Sequence, residues 1–401
     1  MTSLLELLRS GEFVVNEGPP IEMTYKDLLI RELQPSDEEA LRCWGARLPV
    51  TLPESLLEAY GVPISYGVRP GLYRHAYPCA GSVNGRFVGA AALCVKEILV
   101  NGALIPMMYG IDGIIHPDFR SLGYVSIILL RGSLIAISEG IACHALYGSV
   151  SASNTPSLRT CEKSGMKVIL HYQRLFWPLS DDSSELPLSP VQRDTDIRSC
   201  GKRMREQFGH YDFLPVDPEE ITEQEPFLGT FTLVRGGHQA SVSLWNTNYT
   251  ADLVFLDTKE QVRGFFMFAG TGEASLLIEL ITYIAIWCKR EGGKGYLVVN
   301  VMSSPEFDPL TTAFPQAAAQ NQISLRSLPY VYTLNDHTPT KEIIRATLGQ
   351  SESIRQDHIS RGDNLSDLEQ EPGYFYPRPL FFDPRDNGIL LVPRESLRSN
   401  L

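Results

Sequence analysis

The sequence predicts an α+β fold of two consecutive modules, each a mixed, mostly antiparallel sheet flanked by helices. Three observations point there. The 401 residues exceed one ordinary domain, and at 43% hydrophobic and 20% charged they hold enough apolar side chain for two cores. Asn-Gly and Gly-Gly pairs separate alternating or apolar runs, as hairpins require. One order of elements, a long apolar helix, a strand, a short helix and a strand, occurs twice, as in a degenerate internal duplication.

Residues 1–24 read as an N-terminal extension or short amphipathic helix, and the first module as 25–179. "DLLIREL" is its opening strand. In "QPSDEEALRCW", Ser36 is placed to cap a helix whose first turn carries Glu38 and Glu39. "YPCAGSVNGRFVGAAALCV" and "ILVNGALIPMMYGIDGII" are successive strands turning at Asn84-Gly85 and Asn101-Gly102. "YVSIILLRGSLIAISEG" has helical spacing and stops at Gly140. "CHALYGSVSAS" is a strand, and "NTPSLRTCEKSG" a short helix opened by Asn154 and Pro156 and closed by Gly165. "MKVILHYQRLFW" is the last strand.

"PLSDDSSELPLSP" is rich in Pro, Ser and acid, and a linker is placed at 180–198. The second module then spans 199–345. It starts with the helix "RSCGKRMREQFG" and continues with strands around Gly236-Gly237 and in "VRGFFMFAG". The helix "ASLLIELITYIAIWCKREGG" follows, then the strand "YLVVNVM", the short helix "LTTAFPQAAAQ" and the strand "ISLRSLPYVYTL". Residues 346–401 begin as a loose polar segment. Their "YFYPRPLFFDPRD" is too aromatic to stand in water and is expected to dock back on a domain.

A formal charge of −12 argues against direct binding of nucleic acid, which needs local positive charge, and tolerates a cationic partner. The seven cysteines are scattered, without two-residue spacing or paired histidines. No disulfide framework and no metal site is expected, and a reducing compartment fits. "MTSLLELLRSGEFVV" lacks the build of a signal peptide, and Arg131 and Glu279 interrupt the two most apolar helices, so no membrane association is expected. The reading is a cytoplasmic protein, or one of cytoplasm and nucleus, acting as monomer or homodimer.

Chemistry is sought first in "IIHPDFRSLGYVSIILL". Ile114 and Ile115 end a strand and Tyr124 begins a helix, where orphan N–H groups and the dipole make an anion site. Ser121, Leu122 and Gly123 offer successive amides, and Arg120 adds a guanidinium. Some thirty residues on come Asn154, Ser157 and "EKSGM". Together these motifs resemble the Gcn5-related N-acetyltransferase (GNAT) family. Ile115, Pro117, Arg120 and Gly123 match its first motif, and Asn154, Ser157, Glu162, Lys163 and Gly165 its second. The resemblance covers roughly Leu28 to Leu179, and "LGTFTLV", "ASVSLWN", "FFMFAGTGE" and "PLFFDPRD" are similar to pieces of plant hookless-type N-acetyltransferases with a divergent second module.

The resemblance implies tandem GNAT-like modules and an N-acetyltransferase that moves an acetyl group from acetyl-CoA, as co-substrate, to a primary amine by direct attack. The acceptor would be a small-molecule amine, an amino acid or a lysine-containing protein. It implies that the pantetheine arm pairs along Met107 to His116, and that the pyrophosphate sits on the amides of Arg120, Ser121, Leu122, Gly123, Tyr124 and Val125. Ile114, Ile115, Asn154 and Ser157 complete the cofactor-binding set. Asp112 is the candidate base on the fourth strand, reaching its proton through water.

Three positions depart from the family pattern. Val125 replaces a small residue, Met166 an aromatic one, and Cys161 a tyrosine that protonates the leaving thiolate, so Cys161 is the candidate acid. "AGTGEAS" lacks an arginine and carries Glu273, which makes the second module a non-catalytic partner whose Trp245, Asn246 and Tyr249 could line the acceptor cleft. The alternative is a degenerate fold acting as a CoA-sensing or protein-binding module without catalysis.

Overall fold

The computed structural model describes residues 13–16, 22–45, 68–100, 102–141, 145–151, 155–163, 166–179, 189–247, 253–254, 261–262, 264–293, 296–302, 317–327 and 381–386. β1 (Phe13–Asn16) pairs with β2 (Glu22–Tyr25), so these stretches are sheet rather than the amphipathic helix expected over 1–24. Aromatic and β-branched residues such as Phe13, Val14 and Val15 favour extended backbone. β3 (Leu28–Glu32) leads to α1 (Pro35–Gly45). Ser36 does not cap it: Pro35 is the first helical residue, and Asp37 reaches back to accept the Gln34 N–H at 2.8 Å.

β4 (His75–Val83), β5 (Arg86–Val100) and β6 (Ala103–Ile115) form a meander. Asn84 and Gly85, at φ 50° and 75°, make its first tight turn. α2 (Tyr124–Ser138) crosses to β7 (Ala145–Ser151), ending where Gly140 takes φ 79° and the Ile141 N–H returns to the Ala136 carbonyl at 2.9 Å. α3 (Thr155–Lys163) and β8 (Lys167–Pro178) follow.

The next strand, β9 (Val191–Asp194), lies inside the span expected as linker, and it pairs with β10 as an edge strand. α4 (Ile197–Phe208) is capped by Asp196, which accepts the Ser199 N–H at 2.7 Å, and the short α5 (Glu219–Thr222) comes after it. β10 (Phe227–Arg235) turns at Gly236-Gly237 into β11 (His238–Asn246). A small ribbon, β12 (Leu253–Val254) with β13 (Gln261–Val262), precedes β14 (Phe265–Thr271). α6 (Ala274–Arg290), β15 (Tyr296–Met302) and β16 (Ala317–Ser327) complete the set. Ala317 to Gln320 stand in β16 rather than ending a short helix: Ala317, Ala319 and Gln320 are registered against β8, and this pairing outweighs alanine's helix propensity.

The fold is α+β, with two modules of one topology. In the first, β3-β4-β5-β6 are antiparallel neighbours and β7 lies parallel to β6, reached through α2. In the second, β9-β10-β11-β14 repeat that order and β15 lies parallel to β14, reached through α6. The place beside β7 is taken by β16, and the place beside β15 by β8, so the modules exchange their last strands. The exchange fuses both sheets into one, of fourteen strands among the described residues.

Alternation along the strands sorts side chains to two faces. Phe265 and Met267 of β14 meet α6, whereas Phe266 and Phe268 meet the opposite core. That opposite core is shared: Tyr109 and Tyr147 of the first module and Trp245 and Val298 of the second belong to it, with Phe381 of the C-terminal segment.

Candidate functional site

β6 and β7 run together only briefly. Their parallel register covers Met107↔Ala145, Met108↔Leu146 and Tyr109↔Tyr147, and beyond it β6 stays paired with β5 alone among the described residues. A bulge causes the divergence. Ala90 faces Ile114 and Ala92 faces Ile111, so Asp112 and Gly113 together oppose Ala91. Asp112 takes φ 52°, a left-handed conformation that aspartate tolerates better than most residues, and the bulge bends the strand. The β7-side edge of β6 from Gly110 to Ile115 is thereby left for another extended chain.

The strand ends in the turn of Pro117–Phe119, then Arg120 to Gly123, then α2. Left-handed φ at Ser121 (66°) and Gly123 (76°) folds this turn tightly. Among the described residues, no backbone carbonyl accepts from the amides of Ser121, Leu122, Gly123, Tyr124 or Val125, the usual state of a helix start. Arg120 is exposed and its Nε donates to the Ile115 carbonyl at 3.3 Å, tying the guanidinium to the strand end.

Val125 turns one methyl toward Gly113. Its methyl Cγ2 lies only 2.6 Å from where a Cβ on Gly113 would stand, so the side chain packs onto the bulge in room that the glycine leaves. Gly113→Ala is expected to overpack this contact and destabilise by about 1–3 kcal/mol. Adding Val125→Ala should recover most of the loss, as read by urea unfolding of both variants.

On the other side of the splay lies a cluster of buried charge. Lys96 sits at a core-facing position of β5, between Cys94 and Ile98 in the alternation. Its ammonium meets Asp383 at 2.6 Å and Asp386 at 2.9 Å, from a C-terminal segment whose Pro384–Asp386 is a short 3-10 turn. Arg385 is paired with Asp383 at 2.8 Å and Glu220 at 3.3 Å, and donates to the Leu72 carbonyl. Arg69 is paired with Asp112 and donates to the Asp386 carbonyl at 2.7 Å. Phe381 packs edge-on against Phe208 and Phe268, so the segment clamps both modules.

Tyrosines finish the cluster. Tyr109 and Tyr147 are stacked with ring centroids 4.7 Å apart where the strands part. Tyr109 donates to the Asp386 carbonyl at 2.8 Å, and the Asp386 carboxylate accepts from Tyr147 at 2.8 Å and Tyr73 at 2.9 Å. Burial pushes all three hydroxyls well above the ordinary tyrosine range. Burial also tends to raise the Asp383 carboxyl, but the charges of Arg385 and Lys96 outweigh it and hold Asp383 well below the carboxylate range. At Asp386 burial prevails over Lys96, and the carboxyl is pushed up. The cations are sealed: Arg69, Lys96 and Arg385 have side chains 7%, 2% and 1% exposed, whereas Asp112 and Asp386 are open by 20% and 19%.

The structure thus brings Asp112, Ile114, Ile115 and the residues from Arg120 to Val125 around one splay. Ile114 packs on the shared core and Ile115 beside Val125 on the α2 side. Cys161 stands on α3, half-buried, and burial pushes its thiol up. Ser157 is on the same helix, whereas Asn154, Gly165 and Tyr249 lie outside the described residues. In the second module, Gly272 packs against β11, and Glu273 at the helix start pairs with His238 at 2.8 Å. Trp245 is 2% exposed in the shared core. Among the described residues no group of side chains could hold a metal ion, and no helix is long and apolar enough to cross a membrane.

Sequence reasoning missed Arg69, Lys96, Asp383, Arg385 and Asp386. Lys96 carried a signal: it is the one charge at an inward position of "AALCVKEILV". Arg69, in "GVRPGLY", carried none.

No family model and no curated protein matches the sequence. Among solved structures, the chain is similar to an N-myristoyltransferase of Saccharomyces cerevisiae with bound myristoyl-CoA, at 10% identity over 72% of this chain and 87% of that one, TM-score 0.47. It is also similar to GCN5-related N-acetyltransferases of Kribbella flavida (15% identity, 75% and 71% of the chains, TM-score 0.43) and Anabaena variabilis (12%, 75% and 72%, 0.41). At these identities the chemistry is left to the chain's own residues.

Proposed function

We propose that the protein is an acyl-CoA-dependent N-acyltransferase, with acetyl-CoA as donor and a primary amine as acceptor, and that the first module is the active one. The observation that carries this reading is the splay of β6 from β7, with the β6 edge leading to a helix start beside which Val125 turns a methyl onto Gly113. Ser121 to Val125 and Arg120 would hold the pyrophosphate, and the edge from Gly110 to Ile115 the pantetheine amides. The thioester then reaches the level of Tyr109 and Tyr147, and the amine arrives from the shared-core face.

Asp112, paired with Arg69, is the candidate base on β6. Cys161, protonated, is the group assigned to the leaving sulfur, with a small share of the rate because a thiolate is already a stable leaving group. Ser157 on α3, with Asn154, completes the proposed cofactor-binding set. The second module, with Glu273 where a phosphate would need a donor, acts as a non-catalytic partner that covers the first module's sheet or supplies one wall of the acceptor site.

The test is thiol release from acetyl-CoA across amine classes: polyamines, amino acids, amino sugars and lysine-rich peptides. Amine-dependent release with at least one class is expected. No release above the hydrolytic background with any class, from folded protein, would refute the reading.

A further inference from the structure

The Asp386 carboxylate is saturated. Lys96 donates to both of its oxygens at 2.9 and 3.0 Å, Tyr73 to Oδ1 at 2.9 Å and Tyr147 to Oδ2 at 2.8 Å. A carboxylate has about four lone-pair positions, and all are used. Such a group can take up a further proton only along a hydrogen bond that already exists, because any other route first breaks a buried partner.

Two of its donors are hydroxyls, and they differ in place. Tyr147 is the last β7 residue in register with β6, stacked on Tyr109 at the point where the strands part. Tyr73 precedes β4, outside the β6–β7 pairing, and its ring is 6.4 Å from that of Tyr109. We propose that Tyr147 and Asp386 form the proton-accepting pair of the acyl transfer, with Tyr147 taking the amine's proton as it passes its own to Asp386. This inference rests on the acyl-transfer reading above.

The step balances without a further reactant. The amine lone pair forms the C–N bond, and the C–S bonding pair leaves with the thiolate. One amine N–H bond breaks, its proton going to Tyr147 Oη, while the Tyr147 O–H proton crosses to Asp386 Oδ2. Lys96 and Tyr73 keep their bonds to the carboxylate, and Tyr109 and Arg69 hold the Asp386 carbonyl, so the acceptor stays in place. Asp383, the remaining charge beside it, is occupied by Lys96 and Arg385. The pair must be ionised at Asp386 to work, and burial places that ionisation above the ordinary aspartate range.

The experiment measures acetyl-CoA turnover with the fastest amine of the panel, against pH, for the whole chain and three variants. Tyr147→Phe is expected to lower kcat by about a hundredfold or more, the usual size of general-base assistance, with KM for acetyl-CoA within about twofold. Asp386→Asn should remove the acid limb of the kcat profile. Tyr73→Phe should keep that limb and lose no more than about fivefold. Tyr147→Phe removes one hydroxyl and leaves the ring on Tyr109 and Phe213, so it decides the matter even if Asp386→Asn fails to fold. A Tyr147→Phe variant with unchanged rate and profile would overturn the pair while leaving acyl transfer standing, and so would equal losses in Tyr73→Phe and Tyr147→Phe. Failure of the unaltered chain to acylate any amine would remove the acyl-transfer reading and this inference with it.

Discussion

Asp383→Ala is expected to destabilise the protein by about 3–5 kcal/mol, the cost of leaving buried charge without its partner. Asp383 is 1% exposed and lies between Lys96 and Arg385, themselves 2% and 1% exposed, so its loss leaves two buried cations with only Asp386 and Glu220 as counter-charges. Lys96→Met should cost less. It leaves Asp383 with Arg385, and Asp386 with its tyrosines, and a methionine fills the stem's place among Cys94, Tyr73 and Tyr147. The double variant should cost less than the sum of the singles, and urea unfolding of all four proteins reads that coupling.

The pH dependence carries a sign. Asp383 has its folded pKa depressed, so its contribution is complete above the unfolded value near ~4 and is lost as pH falls through the folded value. The difference between the unaltered chain and Asp383→Ala should therefore be flat from neutral pH down to about 5 and narrow below about 4.

Gly123→Val should cut the response to acetyl-CoA by half or more. Gly123 holds φ 76°, a conformation that a β-branched residue strongly disfavours, and the change would swing the amides of the turn out of line. With acetyl-CoA at about a hundred times its Kd, the unaltered chain should gain about 2.7 kcal/mol in unfolding free energy. Gly123→Val should gain less than about 1.4 kcal/mol, a loss of tenfold or more in affinity. Space is not the obstacle, since no atom lies within 4 Å of a Cβ there, so the effect isolates backbone geometry.

Much of the fold was legible because it is local. Asn84-Gly85, Gly236-Gly237 and Gly140 each need left-handed backbone, and each turns or stops where its sequence context indicates. The duplication was legible as a repeated order, because a long apolar helix between two strands forms a parallel crossover in either half. The strand exchange was not. Whether β8 or β16 lies beside β7 depends on pairing between residues far apart in the chain, such as Asn321 with Ser151 and Leu325 with Tyr147, which no local pattern encodes. The helical reading of Ala317 to Gln320 failed for the same reason.

The site divides likewise. Arg120 to Val125 is one contiguous turn, so its amides and its glycine could be read in a line of sequence. Val125 looked like an obstruction until Gly113, twelve residues earlier, was seen to receive its methyl. The charged cluster gathers Arg69, Lys96 and Asp112 from one end of the chain and Asp383 to Asp386 from the other. Only Lys96 broke a local pattern in a way that asked for a partner.

The most direct test is amide hydrogen exchange of the whole chain with and without saturating acetyl-CoA. Slowed exchange concentrated at Ser121 to Val125, and at those N–H groups of Gly110 to Ile115 that point away from β5, is the predicted result, because these line the turn and the open edge. Unchanged exchange in both stretches, or protection confined to the start of α6 around Glu273, would contradict it.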